Sequence, residues 1–424
     1  MHEAVLEQSL ERLRSRGFAH AEARISANDK DELQAEFNTP SMLRSVANVS
    51  LVLSGLVDDK RATVSVNKLD DDSVVEAVEE LWLSAQAAPA DTANAIAQSQ
   101  PAAEFSFGDQ SADLDRMCDR LDEFLDYTVN THPSLTLGIA GVSHTRVHTH
   151  YANTNGVSLK ARRGRYDAQA MFTAKEGEDV SSFSYSGVSM KRLDRPIAET
   201  ASFARLMTNS VEQIRTRKVP QKFTGDLVIT PDCVGSFMGF LLGNIGNGPM
   251  IAGTSVYAGR LGEQVASEAL TLRSRPLDQP GGHFLTGDGY PAENATIVEA
   301  GTLKSYLLDL YGSRKTGHGQ SRSGGCWLVE PGQMSVAEMI ASVRQGVLIS
   351  RFSGGRPSEK GDFSGVAKNS YYIEDGVVQY PISETMVSGN LAQLLRDIEG
   401  MSKETADFGA SCYPWIKVGG LGIS

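Results

Sequence analysis

Neutral imidazole is the commonest protein ligand for a catalytic metal and a frequent general base, so the eight histidines are the first residues to weigh. His2-Glu3 begins like HExxH or HExxxH, a helical motif in which two imidazoles hold a metal and the glutamate serves as base. Leu6 and Glu7 stand in the two places the second histidine would take, so the plainer reading is a surface pair at a fraying end. His144, His148 and His150 in SHTRVHTHY share strand parity and project to one face, where His148 and His150 can chelate a metal. Their plainer reading is a polar sheet face. His283 in GGHFLTGDGY and His318 in TGHGQSRSGG sit in glycine-rich loops, where ligand-touching side chains concentrate. No GxxxxGK[ST] or GxGxxG phosphate cradle and no GxSxG elbow occurs, which leaves nucleotide binding and serine catalysis without a motif.

The elements that position these residues follow from periodicity. Val5, Leu6, Leu10 and Leu13 mark a helix over 3–16, ended by Gly17. Residues 21–30, 32–38, 49–55 and 61–67 alternate as strands, with turn residues between them. A second helix is expected from Ser73, capped by its hydroxyl and by Glu76, with Val74, Val78, Leu81 and Trp82 inward. Residues 86–110 read as a connection rich in Ala, Pro, Ser and Gln. A helix over 113–127 leads into a meander from Leu135 to Met190, broken at Asn155-Gly156 and at 176–178. Asp194 and Pro196 open a helix expected to run to about Lys218, with Pro220 as its stop. A strand over 225–230 then feeds an apolar helix with Pro231 at its start and Val234, Phe237, Met238, Leu241, Leu242 and Ile245 inside. Hairpins are expected at Ala300-Gly301 and Asp375-Gly376.

The fold class is α+β. N-terminal helices pack on antiparallel sheet, and a mostly antiparallel β C-terminal domain follows. With 424 residues, three regions are expected: 1–100, 101–218 and 219–424. A composition of 41% hydrophobic and 22% charged residues is that of a globular chain. The formal net charge of -12 opposes nucleic-acid binding, and the short basic run from Lys160 to Arg165 does not offset it. Neither a secretory leader nor an apolar stretch long enough for a membrane span is found, so a cytoplasmic location is expected. Cys118, Cys233, Cys326 and Cys412 lack CxxC spacing, which suits a reducing compartment.

The segment KGDFSGVAKNSYYIEDGVVQYPISETMVSGNLAQLLRDI, residues 360–398, resembles the C-terminal signature of the TldD/PmbA family. It carries Gly361, Asp362, Phe363 and Ser364, the acidic-Gly hairpin, Tyr380-Pro381 with Ser383 and Glu384, and Ser388 to Leu391. NTNG at 153–156 and GTLKSYLLDLYGSRKTGHG at 301–319 extend the resemblance over most of the chain, most weakly over the first hundred residues.

The resemblance implies a heteromeric cytoplasmic metalloprotease that degrades or trims unfolded or modified peptides. Its D-type subunit carries HExxxH on the helix after the first strand of the C-terminal domain, with a later cysteine as third zinc ligand. Here those motif positions are Gly239 to Asn244, in which both histidines and the glutamate are missing, and Cys412 stands near the place of the cysteine. The chain therefore resembles the E-type (PmbA, TldE) subunit: no catalytic or metal-binding residue of its own, no cofactor, and zinc expected in an HExxxH-bearing partner. Candidate peptide-binding residues are Gly361, Asp362, Phe363, Ser364, Ser383, Glu384, Gly389, Asn390, His283, His318 and Cys412. Two rivals stand beside this reading. One is a homo-oligomeric, homodimer-like peptide-binding or regulatory protein without peptidase activity, which the family's older label of modulator of DNA gyrase would suit. The other is an amide hydrolase built on another residue set such as the His144 cluster.

Overall fold

The computed structural model describes residues 2–424, and the side chain of His2 lies outside that description, as does the first of the two tempting histidine motifs with it. Helix α1 (His2–Arg16) buries Leu6, Leu10 and Leu13, and Gly17, at φ +116°, turns the chain into the first sheet. That sheet has eight strands: β1 (His20–Glu36), β2 (Thr39–Val57), β3 (Lys60–Val66), β4 (Ala103–Phe107), β5 (Leu135–Asn153), β6 (Ser158–Glu176), β7 (Asp179–Val180) and β8 (Ser184–Met190). Its main path runs β3-β2-β1-β5-β6-β4, with β7 and β8 both on β6. It therefore draws strands from both sides of residue 100.

The sequence suggested a break near residue 31, where Asn28 to Glu32 are polar. Instead β1 is one strand of 17 residues. It is paired on both sides, Asp29 with Ala47 and Arg146, Asp31 with Ser45 and His144, and the charges find partners there. Arg146 reaches Asp29, and the buried Glu32 accepts from Lys30 and Arg44, each at 2.8 Å. The β1-β2 turn holds Phe37 and Asn38 at φ 49° and 63°, and the Asn38 side-chain oxygen Oδ1 accepts from the Leu137 N–H at 2.8 Å, which ties the turn to β5.

Helix α2 (Asp71–Ala87) starts earlier than expected. Its cap is Asp70, whose carboxylate accepts from both the backbone and the hydroxyl of Ser73, at 3.0 and 2.9 Å. The 86–110 connection is packed, with Ala93, Ile96 and Ala97 buried and β4 running parallel to β6. Helix α3 (Leu114–Thr131), capped by Asp113, and the β5-β6-β8 meander follow the sequence reading. The long helix expected from Pro196 is broken: a 3-10 turn at Ile197–Glu199 and helix α4 (Phe203–Glu212) are separated by Ala201 at φ +45°. Beyond α4 the chain pairs its backbone with the far sheet, Arg217 with Pro381 and Ser383 at 3.0 Å each.

The second sheet has thirteen strands. They are β9 (Phe223–Ile229), β10 (Leu272–Ser274), β11 (Ala295–Glu299), β12 (Thr302–Leu303), β13 (Trp327–Val329), β14 (Gln345–Ile349) and β15 (Arg351–Gly354). Then come β16 (Asp362–Lys368), β17 (Ser370–Glu374), β18 (Val377–Ile382), β19 (Thr385–Asn390), β20 (Ile398–Asp407) and β21 (Ser411–Ile423). Pairing is antiparallel except β13 with β21 and β14 with β9. Both expected hairpins form, with Ala300-Gly301 at φ 44° and 77° and Asp375-Gly376 at 48° and 78°. Helices α5 (Pro231–Asn244), α6 (Asn247–Ala252), α7 (Leu310–Thr316), α8 (Val336–Ala341) and α9 (Leu391–Arg396) cover it. The architecture is mixed α and β, rich in antiparallel sheet, as its sequence implies. Among the described residues no helix is long and apolar enough to cross a membrane.

Candidate functional site

Strand β9 delivers the chain to α5, where Pro231 takes the first helical position and loses no intrahelical bond. One side of α5 buries Cys233, Val234, Phe237, Met238, Phe240 and Leu241. The opposite side is bare. Gly235, Gly239 and Gly243 repeat at four-residue spacing and are exposed, and a Cβ built on Gly239 or Gly243 would meet nothing within 4 Å. Arg205 of α4 pairs with Asp232 in the first turn, fixing how α5 begins, and its guanidinium lies 5.4 Å over the Trp415 ring.

Between α5, β15, β16 and the start of α9 lies a pocket of about 340 Å³. Phe237, Phe352 and Phe363 form its aromatic wall, with ring centroids 5.4 to 5.8 Å apart in tilted and edge-on pairs. Phe240, Leu391, Pro357, Ser236 and the backbones of Gly239, Gly354 and Gly355 complete the lining. Glycine is required at 361, which has φ +97° and would place a Cβ 2.9 Å from the Phe240 ring.

Two groups of the sequence candidates, residues 361–364 and 389–390, meet here. Strand β16 pairs with β19 so that Asp362 faces Asn390, Phe363 faces Gly389 and Ser364 faces Ser388. Phe363 is core, Ser364 is exposed, and the Asn390 amide donates to the Asp362 carboxylate and the Lys360 carbonyl, both at 2.9 Å. Those bonds, Asn390 first and Ser358 second, hold the Asp362 carboxyl below the usual carboxylate range. The Asn390 side-chain oxygen Oδ1 caps α9 by accepting from the Gln393 N–H at 3.1 Å. Ser383 and Glu384 lie at the far end of β19, roughly 20 Å away at the rise of an extended strand. There Glu384, at φ +52°, pairs with Lys218 at 2.7 Å, and Lys218 keeps its carboxyl low.

The positions that the resemblance assigns to a zinc motif offer the metal nothing. Gly239 and Gly243 have no side chain, and the Phe240 ring packs on Tyr257 at 6.3 Å. The Asn244 amide donates to the Phe240 carbonyl at 3.0 Å, while its oxygen accepts from Val256 N–H at 3.4 Å. Zinc needs imidazole, thiolate or carboxylate, so these side chains do not fit it. Among the described residues no group of three His, Cys, Asp or Glu side chains is placed to hold a metal ion.

Residues 222–424 match the family described as the PmbA/TldA metallopeptidase C-terminal domain. A metalloprotease of Methanothermobacter thermautotrophicus is 30% identical over 42% of this chain and 43% of its own. The metalloprotease PmbA of Escherichia coli O157:H7 is 26% identical over 64% of this chain and 62% of its own. Both matches span less than two thirds of the relative's length. The crystal structure of TldE from Thermococcus kodakarensis superposes with TM-score 0.85 at 18% identity, over 99% of this chain and 100% of that one. Residues 222–424 belong to the PmbA/TldD family.

The remaining candidates, within the PmbA/TldD region and before it, stand apart from the α5 pocket, none of them lining it. His144 is buried at 2% exposure, its Nε2 2.9 Å from the Asp109 carbonyl and its ring 4.7 Å from Tyr166. His148 lies 3.3 Å from the Gln110 amide oxygen. His144 is engaged apart from the other two, while His148 and His150 line one cleft with Glu3 and Lys160. His283 is half-buried, and burial with the nearby Arg163 guanidinium pushes its pKa down. His318 packs on Tyr306 at 4.8 Å. Cys412 on β21 faces Asp407 and Leu328, and burial raises its thiol pKa, the wrong direction for a thiolate ligand. Sequence reading did not single out the aromatic pocket: Phe237 belongs to a helical core pattern, Phe240 stands only as a position of the missing zinc motif, and nothing in the sequence ties Phe352 to them across more than a hundred residues. The Gly235-Gly239-Gly243 spacing was the one available signal.

Proposed function

We propose that this chain is the E-type, zinc-free subunit of a PmbA/TldD metalloprotease, shaping the chamber that admits unfolded or modified peptides while an HExxxH-bearing partner supplies the zinc. The observation that supports it is the chemistry of α5. Hydrolysis by a metal needs donors for the ion and a base for water, and Gly239, Phe240 and Asn244 supply neither. Substrate selection by extended backbone is consistent with the sheet-rich surroundings of the site, where strands can take up one more chain through main-chain hydrogen bonds.

The test measures zinc by elemental analysis and cleavage of an unfolded, casein-like protein, for the purified chain alone and mixed with an HExxxH-bearing partner of the family. The expected outcome is little zinc and no cleavage alone, with cleavage on mixing. Stoichiometric zinc and cleavage by the isolated chain would overturn the assignment.

A further inference from the structure

We propose that the α5 pocket is a subsite for the carboxyl-terminal residue of an extended peptide: the pocket takes a large apolar side chain and Arg356 at its rim meets the terminal carboxylate. The inference rests on the subunit reading in giving this chain a part in holding peptide, and it adds which end and which side chain are held.

Size and lining set the ligand class. A volume of about 340 Å³ is at the low end for ligand sites, which run from roughly 300 to 1,000 Å³, so it suits one side chain and its backbone better than a cofactor. Most of the wall is Phe237, Phe240, Phe352, Phe363, Leu391 and Pro357, which offer an apolar group dispersion and release of water, and the Ser236 hydroxyl is the one polar side chain in the lining. The space is real on the helix side, because a Cβ at Gly239 would touch no atom within 4 Å.

Backbone and charge at the rim set the form of the ligand. Strand β15 contributes Phe352 and Gly354 to the pocket and is paired on one edge only, with β16, so among the described residues its other edge has no strand partner. An extended chain laid along that edge would alternate side chains into and away from the pocket. Arg356 sits between the lining residues Gly355 and Pro357, is exposed, and has no hydrogen-bond or ion-pair partner among the described residues. Asp362, which opens the strand after this loop, is already held by Asn390 and Ser358. An uncommitted guanidinium beside an apolar pocket complements a carboxylate beside an apolar side chain, and a peptide carries that pair at its carboxyl end.

The test uses the full, isolated chain and fluorescence anisotropy with fluorescein-labelled five-residue peptides ending in phenylalanine, in alanine, or in phenylalanine amide. The phenylalanine acid is expected to bind about tenfold or more tightly than either of the others. Gly239→Leu, which fills the pocket from a helical position that tolerates a side chain, should remove that binding while its melting temperature stays level or rises. Arg356→Gln should erase the preference for acid over amide and keep the preference for phenylalanine over alanine. Equal binding of the phenylalanine and alanine peptides, binding indifferent to Gly239→Leu, or an acid preference that survives Arg356→Gln would each overturn the proposal. So would sedimentation showing that the chain self-associates and that Gly239→Leu separates the copies, since a second copy would then occupy the pocket. None of these outcomes bears on whether cleavage appears on mixing with a zinc-bearing partner, so the two readings fail separately.

Discussion

Strand β5 and helix α5 invite the same question and answer it in opposite ways. On β5 the donors are present, three imidazoles of one parity, but His144 is buried against Tyr166 and the Asp109 carbonyl, and neither His148 nor His150 is without a partner. On α5 the donors are missing and the space remains, a pocket walled by phenylalanines beside a glycine-faced helix. Residue type alone therefore ranks the two regions wrongly. What a site can do depends on which side chains are uncommitted and on how much room is left for a ligand.

The comparison is broken most forcefully at Phe237, which is 2% exposed and touches both Phe352 and Phe363. Phe237→Ala should cost about 3–5 kcal/mol in urea unfolding, because the deletion loses burial and leaves a cavity that merges with the pocket. A cost under about 1 kcal/mol would mean that the aromatic wall is not packed as described. His144→Ala on β5 should cost less, about 1–3 kcal/mol, the scale for a buried hydrogen-bonding group whose partner is left unpaired. Its zinc content should match that of the unaltered chain. Loss of bound zinc in that variant would reinstate β5 as a metal site.

Sharpening from the other direction, Gly239→Ala should stabilise the chain by about 0.5–1 kcal/mol, since alanine restricts the unfolded chain more than glycine and the helical position is unobstructed. The measurement is again the urea midpoint. A destabilised variant would show that something already occupies the bare side of α5.

Local chemistry made much of this legible before any coordinates. The N1 proline of α5, the Asn155-Gly156 and Asp375-Gly376 turns and the glycine stop after α1 each declare themselves within a few residues, and the structure has them all. The misreadings involve partners distant in sequence. Polar residues 28–32 continue as strand because β2 and β5 pair on both sides, and the expected helix beyond Pro196 breaks where Ala201 adopts a positive φ. At the site, the β16-β19 pairing brings residues 361–364 against 388–390, a grouping that the family signature suggested without explaining. The pocket needed Phe237 of α5, Phe352 of β15 and Phe363 of β16 together, and no spacing rule connects them.

The smallest expected effect concerns His283, which the sequence grouped with the ligand-binding loops and the structure packs near Arg163. Burial first and the Arg163 guanidinium second disfavour its protonated form, so its folded pKa lies below the ordinary imidazole value of about 6.5. The unfolded chain then takes up a proton at a pH where the folded chain does not. Stability is therefore fully present above about pH 6.5 and is lost as pH falls from there toward the folded value. Urea midpoints between pH 7 and pH 5.5 should decline in the unaltered chain, and His283→Gln should flatten part of that decline. It should not remove all of it, because burial lowers the His132 pKa in the same sense. The carboxylates held low do not confuse this window: the Asp91 carboxyl, bonded by Ala93 N–H and by Lys315, is held at about 2, and its contribution fades only under acid conditions. An identical slope in His283→Gln would place the imidazole in solvent, and the loop would return to the standing it had in the sequence, as an open candidate for ligand contact.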